Sequence, residues 1–105
     1  MRDLYRLAGR MVGIGFVGTS LPAEARDLIR RGVRNCILFA RNIENPQQLA
    51  GLNAQIKSVA GPDPLMMSVD QEGGRVLRMR EPFTLIPSMR QVGQAGDEKL
   101  AFEIG

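Results

Sequence analysis

At 105 residues the chain is shorter than the roughly 150 residues of a typical domain, so it amounts to one domain or part of one. Its 44% hydrophobic and 24% charged residues suit a folded globular chain and exclude a disordered or low-complexity one. No apolar run approaches the roughly 18–20 residues of a membrane helix. The net charge of +3 comes from bases, mostly arginines, scattered along the chain. The tightest group, Arg75, Arg78 and Arg80, sits beside Asp70, Glu72 and Glu81, so a nucleic-acid partner is not expected.

The opening Met1-Arg2-Asp3-Leu4-Tyr5-Arg6 places charge where an export signal carries its apolar core. A single cysteine, Cys36, cannot form an internal disulfide. Both features lead to the expectation of a reducing, cytoplasmic setting. Histidine is absent, which removes Ser-His-Asp and Cys-His arrangements and the commonest metal ligand; no metal site is expected.

In chain order, Met11–Val17 forms a continuous apolar run and predicts a strand buried on both faces. Ser20 as cap and Pro22 as first helical residue predict a helix to about Arg31. Leu21, Ala25, Leu28 and Ile29 form its apolar stripe, and Gly32 its stop. Residues 35–40 predict a second buried strand. Asn45-Pro46 then opens a helix whose buried face carries Leu49, Leu52, Ile56 and Val59, ending at Gly61-Pro62-Asp63-Pro64. A third strand, residues 65–69, ends at Asp70. Helical signals resume from Ser88 to Val92, pause at Gly93 and Gly96, and restart with Asp97 as cap.

This is α/β organisation from repeated parallel β/α units. Either an open doubly wound sheet or the beginning of a closed (β/α)8 barrel satisfies it.

Two stretches invite chemistry. Gly13-Ile-Gly15-Phe-Val-Gly18 matches the spacing of a dinucleotide fingerprint, yet its apolar residues read as strand interior rather than as a strand-to-helix turn. Arg41, after the second strand, is the residue that would meet an NADP phosphate. The plainer reading is that the small residues permit close packing.

The second stretch is Asp70-Gln71-Glu72-Gly73-Gly74-Arg75-Val76-Leu77-Arg78, directly after a parallel strand, where ligand sites of both architectures gather. Asp70 and Glu72 offer acceptors to sugar hydroxyls, and Arg75 and Arg78 offer forked donors. The glycine pair permits a sharp turn or close approach to a ligand. An acid–arginine network that merely fixes the loop is the competing reading. Cys36, flanked by strand residues, reads as core.

Asp70-Gln-Glu-Gly-Gly-Arg-Val-Leu-Arg78 closely resembles the signature segment of family 3 glycoside hydrolases, in their β-N-acetylhexosaminidase branch. Gly13-Ile-Gly15-Phe, Ile37-Leu-Phe-Ala-Arg-Asn-Ile43 and Phe83-Thr-Leu-Ile-Pro-Ser-Met89 extend the resemblance along nearly the whole chain, in order. The resemblance implies a TIM-type (β/α)8 barrel, of which residues 1–105 form the N-terminal segment with about three units. It implies release of terminal β-linked N-acetylglucosamine from peptidoglycan-derived or related glycans, without metal or organic cofactor. By the same resemblance, Asp70 and Arg78 bind the terminal sugar.

The family's nucleophile, an aspartate on a later strand, and its acid/base, a histidine on a later loop, have no counterpart among these residues. No catalytic residue is therefore assigned here, and this chain alone is expected to be inactive. An NADP-binding α/β module and a non-catalytic sugar-binding or structural half-barrel remain as alternatives. Self-association is also expected, because three strands outside a closed barrel expose two edges and Met11–Val17 is apolar and uncharged.

Overall fold

The structure, a computed structural model, describes residues 2–105. Its elements in order are helix α1 (Arg2–Arg10), strand β1 (Gly13–Ile14), α2 (Ala23–Arg31), β2 (Asn35–Leu38), α3 (Pro46–Ala60), β3 (Met66–Val69), α4 (Met89–Ala95) and α5 (Glu98–Ile104). The three strands form one parallel sheet in sequence order, with Gly13 opposite Asn35 and Leu38 opposite Val69. Parallel neighbours need crossovers, and α2 and α3 supply them.

The core lies between one face of this sheet and helices α2 and α3. Phe16, Leu21, Ala25, Ile29, Cys36, Leu38, Leu52, Ile56 and Ala60 are buried there. Burial pushes the Cys36 thiol pKa up, so it stays protonated and behaves as a small apolar side chain. The other sheet face is open: Met66 is 64% exposed, and Ser68 is exposed beside it. The strands are thus covered on one face, not on both as their apolar runs predict.

Both leading strands are shorter than their apolar runs. The run Met11–Val17 yields only Gly13–Ile14 as strand, leaving Met11 and Val17 87% and 77% exposed. Beyond Gly15 the Phe16 carbonyl leaves the ladder and accepts from Arg41 Nε at 2.9 Å and Asn42 Nδ2 at 3.1 Å. Strand β2 stops at Leu38 because the Phe39 N–H donates to Asn42 Oδ1 at 2.9 Å, and a 3-10 turn follows over Ala40–Asn42. Asn42, with no solvent exposure, also donates to the Gly18 carbonyl at 2.8 Å. Gln48 secures the same corner by donating to the carbonyls of Thr19 and Asn42.

The helix boundaries follow their capping chemistry. Asn45 caps α3, its side chain accepting from the Gln48 N–H, with Pro46 first in the helix. Ser88 and Asp97 cap α4 and α5. Helix α2 departs from expectation: Pro22, in extended conformation, occupies the cap position, and Ser20 makes no cap. Leu21 still anchors that entrance, being buried and donating its N–H to Gln55 Oε1. Leu28 faces outward, so the buried stripe is Leu21, Ala25 and Ile29.

Helix α1 is unforeseen in the sequence reading. It packs on the end of α2 through Gly9, where a Cβ would overlap the Gly32 carbonyl. Close packing therefore falls to Gly9, whereas Cβ atoms at Gly13 and Gly15 would make only ordinary contacts near 3.6–3.7 Å. At this end of the sheet Arg34 donates to the carbonyls of Ile29 and Val33 and pairs with Asp63 at 3.1 Å. The Arg34 guanidinium holds the Asp63 carboxyl below its ordinary range.

Two outcomes follow from these contacts. Asn42→Ala leaves the Gly18 carbonyl and the Phe39 N–H without their partner, and the Phe16 carbonyl with Arg41 alone, and is expected to destabilise by about 3 kcal/mol in denaturant unfolding. Asp63 has a depressed folded pKa, so its stabilisation is present above the unfolded value and lost as pH falls through the carboxylate range. The melting-temperature gap between wild type and Asp63→Asn should accordingly be small but measurable at neutral pH, and close on acidification.

Candidate functional site

The C-terminal edge of the sheet gathers the residues of interest. Leu38 and Val69 are register partners, so the residues that follow them, Phe39 and Asp70, leave the sheet side by side. Asp70 is exposed and unconstrained by an ion pair among the described residues. Arg78 returns to this edge from the following loop, its guanidinium carbon 5.5 Å from the centroid of the Phe39 ring. Arg41 stacks on the same ring at 5.0 Å while holding the Phe16 carbonyl. The fold thus brings Asp70 and Arg78 to the same end of the sheet, where Phe39 follows β2.

The loop between them is built around Gln71. Its Oε1 accepts from the N–H groups of Arg78 at 2.8 Å and Met79 at 3.1 Å. Its Nε2 donates to the Met79 carbonyl at 3.0 Å, so one carboxamide clasps both ends of the excursion. Inside the clasp Glu72 N–H donates to Val76, and Val76 N–H donates to Gly73. No acid–arginine network holds the loop: Glu72 and Arg75 are both exposed and make no ion pair among the described residues. Gln71 is the residue that sequence reasoning missed. Its signal is chemical, since a carboxamide carries an acceptor oxygen and a donor nitrogen that can meet backbone groups at once.

The glycine pair has a structural duty. Gly73 and Gly74 have φ of 80° and 59°, which favours glycine. A Cβ on Gly73 would overlap the Pro87 carbonyl, and one on Gly74 would come within 2.9 Å of Ser88. The close approach is therefore to the chain's own segment leading into α4, which fixes the loop against the N-terminus of that helix.

Arg78 is anchored but not saturated. Its backbone is held by Gln71 and its head by Phe39, while its buried Nε has no hydrogen-bond partner. A buried donor without a partner is unfavourable by about 1–3 kcal/mol, a cost that a bound acceptor can relieve. A cavity of about 500 Å3 beneath the loop is bounded by Gln71, Met79, Phe83 and Ile86; it is mostly apolar and includes neither Asp70 nor Arg78. The polar strand edge, not this cavity, carries groups able to bind a hydroxylated ligand.

The dinucleotide spacing has a different use. Eight residues separate β1 from α2, and the carbonyls of Phe16 and Gly18 are engaged by Arg41 and Asn42. The segment is thus a braced connection rather than a tight phosphate-binding turn, and Arg41 serves the Phe16 carbonyl and the Phe39 ring. Among the described residues no three His, Cys, Asp or Glu side chains gather as metal ligands.

Comparison with known proteins identifies the fold and the family. A β-hexosaminidase of Methylobacillus flagellatus is 52% identical over 83 residues, which is 78% of this chain and 24% of that protein. A family 3 β-N-acetylglucosaminidase from Paenibacillus superposes with a TM-score of 0.91 at 38% identity, covering 96% of this chain and 20% of that one. NagZ from Neisseria gonorrhoeae, solved with N-trifluoroacetyl-D-glucosamine, gives 0.73 at 35% identity over 85% of this chain and 27% of its own. The chain spans about a quarter of the length of the curated relatives it matches. Its three parallel β/α units are the first of a (β/α)8-type barrel. Residues 9–105 match the glycosyl hydrolase family 3 N-terminal domain, and the chain belongs to that family.

Proposed function

We propose that the complete protein is a β-N-acetylhexosaminidase that releases terminal β-linked N-acetylglucosamine from peptidoglycan-derived glycans, with this chain supplying sugar-binding groups. Recycling of such glycans in the cytoplasm is the setting this reading implies. The observation that carries it is the convergence of Asp70 and Arg78 at one strand edge, on a segment with the family's signature. A relative solved with an N-acylated glucosamine supports the choice of sugar.

The chemistry suits a neutral polyol. The Asp70 carboxylate accepts bonds from hydroxyl groups, and the Arg78 fork donates to hydroxyl or carbonyl oxygens. Hydrolysis with retention requires two further groups about 5–5.5 Å apart across the glycosidic bond. Those groups belong to the rest of the barrel, since these residues include no histidine and Glu72 lies on an exposed loop. Asp70 and Arg78 hold the sugar while other residues break the bond.

In the complete protein, Asp70→Ala is expected to reduce kcat/KM on an aryl N-acetyl-β-glucosaminide at least about tenfold, matching a charged hydrogen bond of about 1.5–3 kcal/mol. Arg78→Lys should cost comparably, because an ammonium lacks the planar fork. Glu81→Ala, at an exposed position, serves as control and should match wild type. Wild-type kinetics for Asp70→Ala would remove the assignment.

The 105-residue chain on its own should release no aryl alcohol above background. Turnover that survives purification and vanishes in Glu72→Gln would contradict the division of labour proposed here.

A further inference from the structure

We infer that Phe39 is the positioning residue for Arg78, a platform that sets the plane and reach of the guanidinium that meets the sugar. The inference rests on the assignment of Arg78 to substrate binding and extends it to a residue that acts through Arg78. Arginine is long and flexible, and a forked contact needs its plane fixed before the ligand arrives. The Gln71 clasp fixes only the Arg78 backbone. Beyond the backbone, the contact that orients the head is the Phe39 ring, 5.5 Å from the guanidinium carbon. No hydrogen bond takes up the buried Nε, so the ring face is the restraint at that end of the side chain.

The platform is itself well held. Phe39 follows β2 directly, its N–H is fixed by Asn42, and its ring carries Arg41 at 5.0 Å. Arg41 is in turn pinned to the Phe16 carbonyl after β1. The ring therefore transmits the positions of two strand ends to a side chain that arrives from the loop after the third. An aliphatic residue would fill similar space but offer no π face, so the requirement is for an aromatic ring and not for bulk.

The test is kinetic and spectroscopic, in the complete protein. Phe39→Leu should raise KM for an aryl N-acetyl-β-glucosaminide about tenfold with kcat within about twofold, and Phe39→Tyr should restore KM. In an Arg78→Ala background Phe39→Leu should add little, because the residue it positions is gone. Equal KM in Phe39→Leu and wild type would overturn the inference. So would losses that simply add in the double variant, or a Tyr variant no better than Leu. A wild-type protein that hydrolyses no such substrate would sink the glycosidase reading instead. The Arg78 Nε–H resonance would still decide the platform. It should be ring-shifted and slow to exchange in wild type and lose both traits in Phe39→Leu; an unchanged resonance would overturn it.

Discussion

The Asn42 carboxamide, inaccessible to solvent, donates to the carbonyls of Phe16 and Gly18 and accepts from the Phe39 N–H. Each bond removes a backbone group from the sheet at the place where a strand would otherwise continue. Ladder pairing stops after Ile14 and after Leu38 because these partners are better placed than a further register step. Burial makes the arrangement obligatory, since a backbone group stripped of water must find another partner. Everything at the upper edge depends on that corner. Phe39 emerges at a fixed height, Arg41 stacks on it, and Arg78 arrives on the same ring.

The two ends of the sheet differ in how fully their polar side chains are paired. At the lower edge Arg34 donates to two carbonyls and to Asp63, and Asn35 donates to the carbonyls of Arg10 and Val12. Its donors are matched by acceptors within the chain. At the upper edge Asp70 is exposed, and Arg78 retains a buried Nε without a partner. Matched groups contribute to stability, whereas the exposed Asp70 carboxylate is accessible to a ligand. A parallel sheet favours this division, because its connecting loops place recognition at the ends where strands exit.

Much of this was legible in the sequence. Asn45-Pro46, Ser88 and Asp97 announced their helices because capping is local chemistry, settled within four residues. The order of strands and helices followed from apolar runs between glycine and proline breaks, and the segment from Asp70 to Arg78 stood out by its place after a strand. Strand length was not legible. Met11–Val17 reads as seven apolar residues, and nothing within it says that Asn42, 26 positions after Phe16, will claim the Phe16 carbonyl. Helix α1 does carry apolar residues at helical spacing, Leu4 and Leu7, with Met11 just past its end, but they stay exposed, and its close contact with the rest of the chain is a glycine against a glycine turn. Gln71 escaped because it looks like a spacer between two acids until the loop closes on it.

Asp70 and Arg78 gather at the same end of the sheet without forming an ion pair, and this bears on what the site can hold. An aspartate locked to an arginine would have to be parted before either could meet a sugar, and a neutral polyol returns little for breaking a charge pair. Here the arginine is held by a ring face and a backbone clasp, neither of which occupies all of its donors. The aspartate meanwhile stays in water, where keeping a charge is inexpensive. The ring attracts the cation without neutralising it, so the fork is oriented and still fully charged. A carboxylate in place of Phe39 would orient Arg78 as well, but it would quench the charge and occupy the donors that hydroxyl groups require. An aromatic anchor is therefore the physical means by which this edge can be both ordered and open to a neutral ligand.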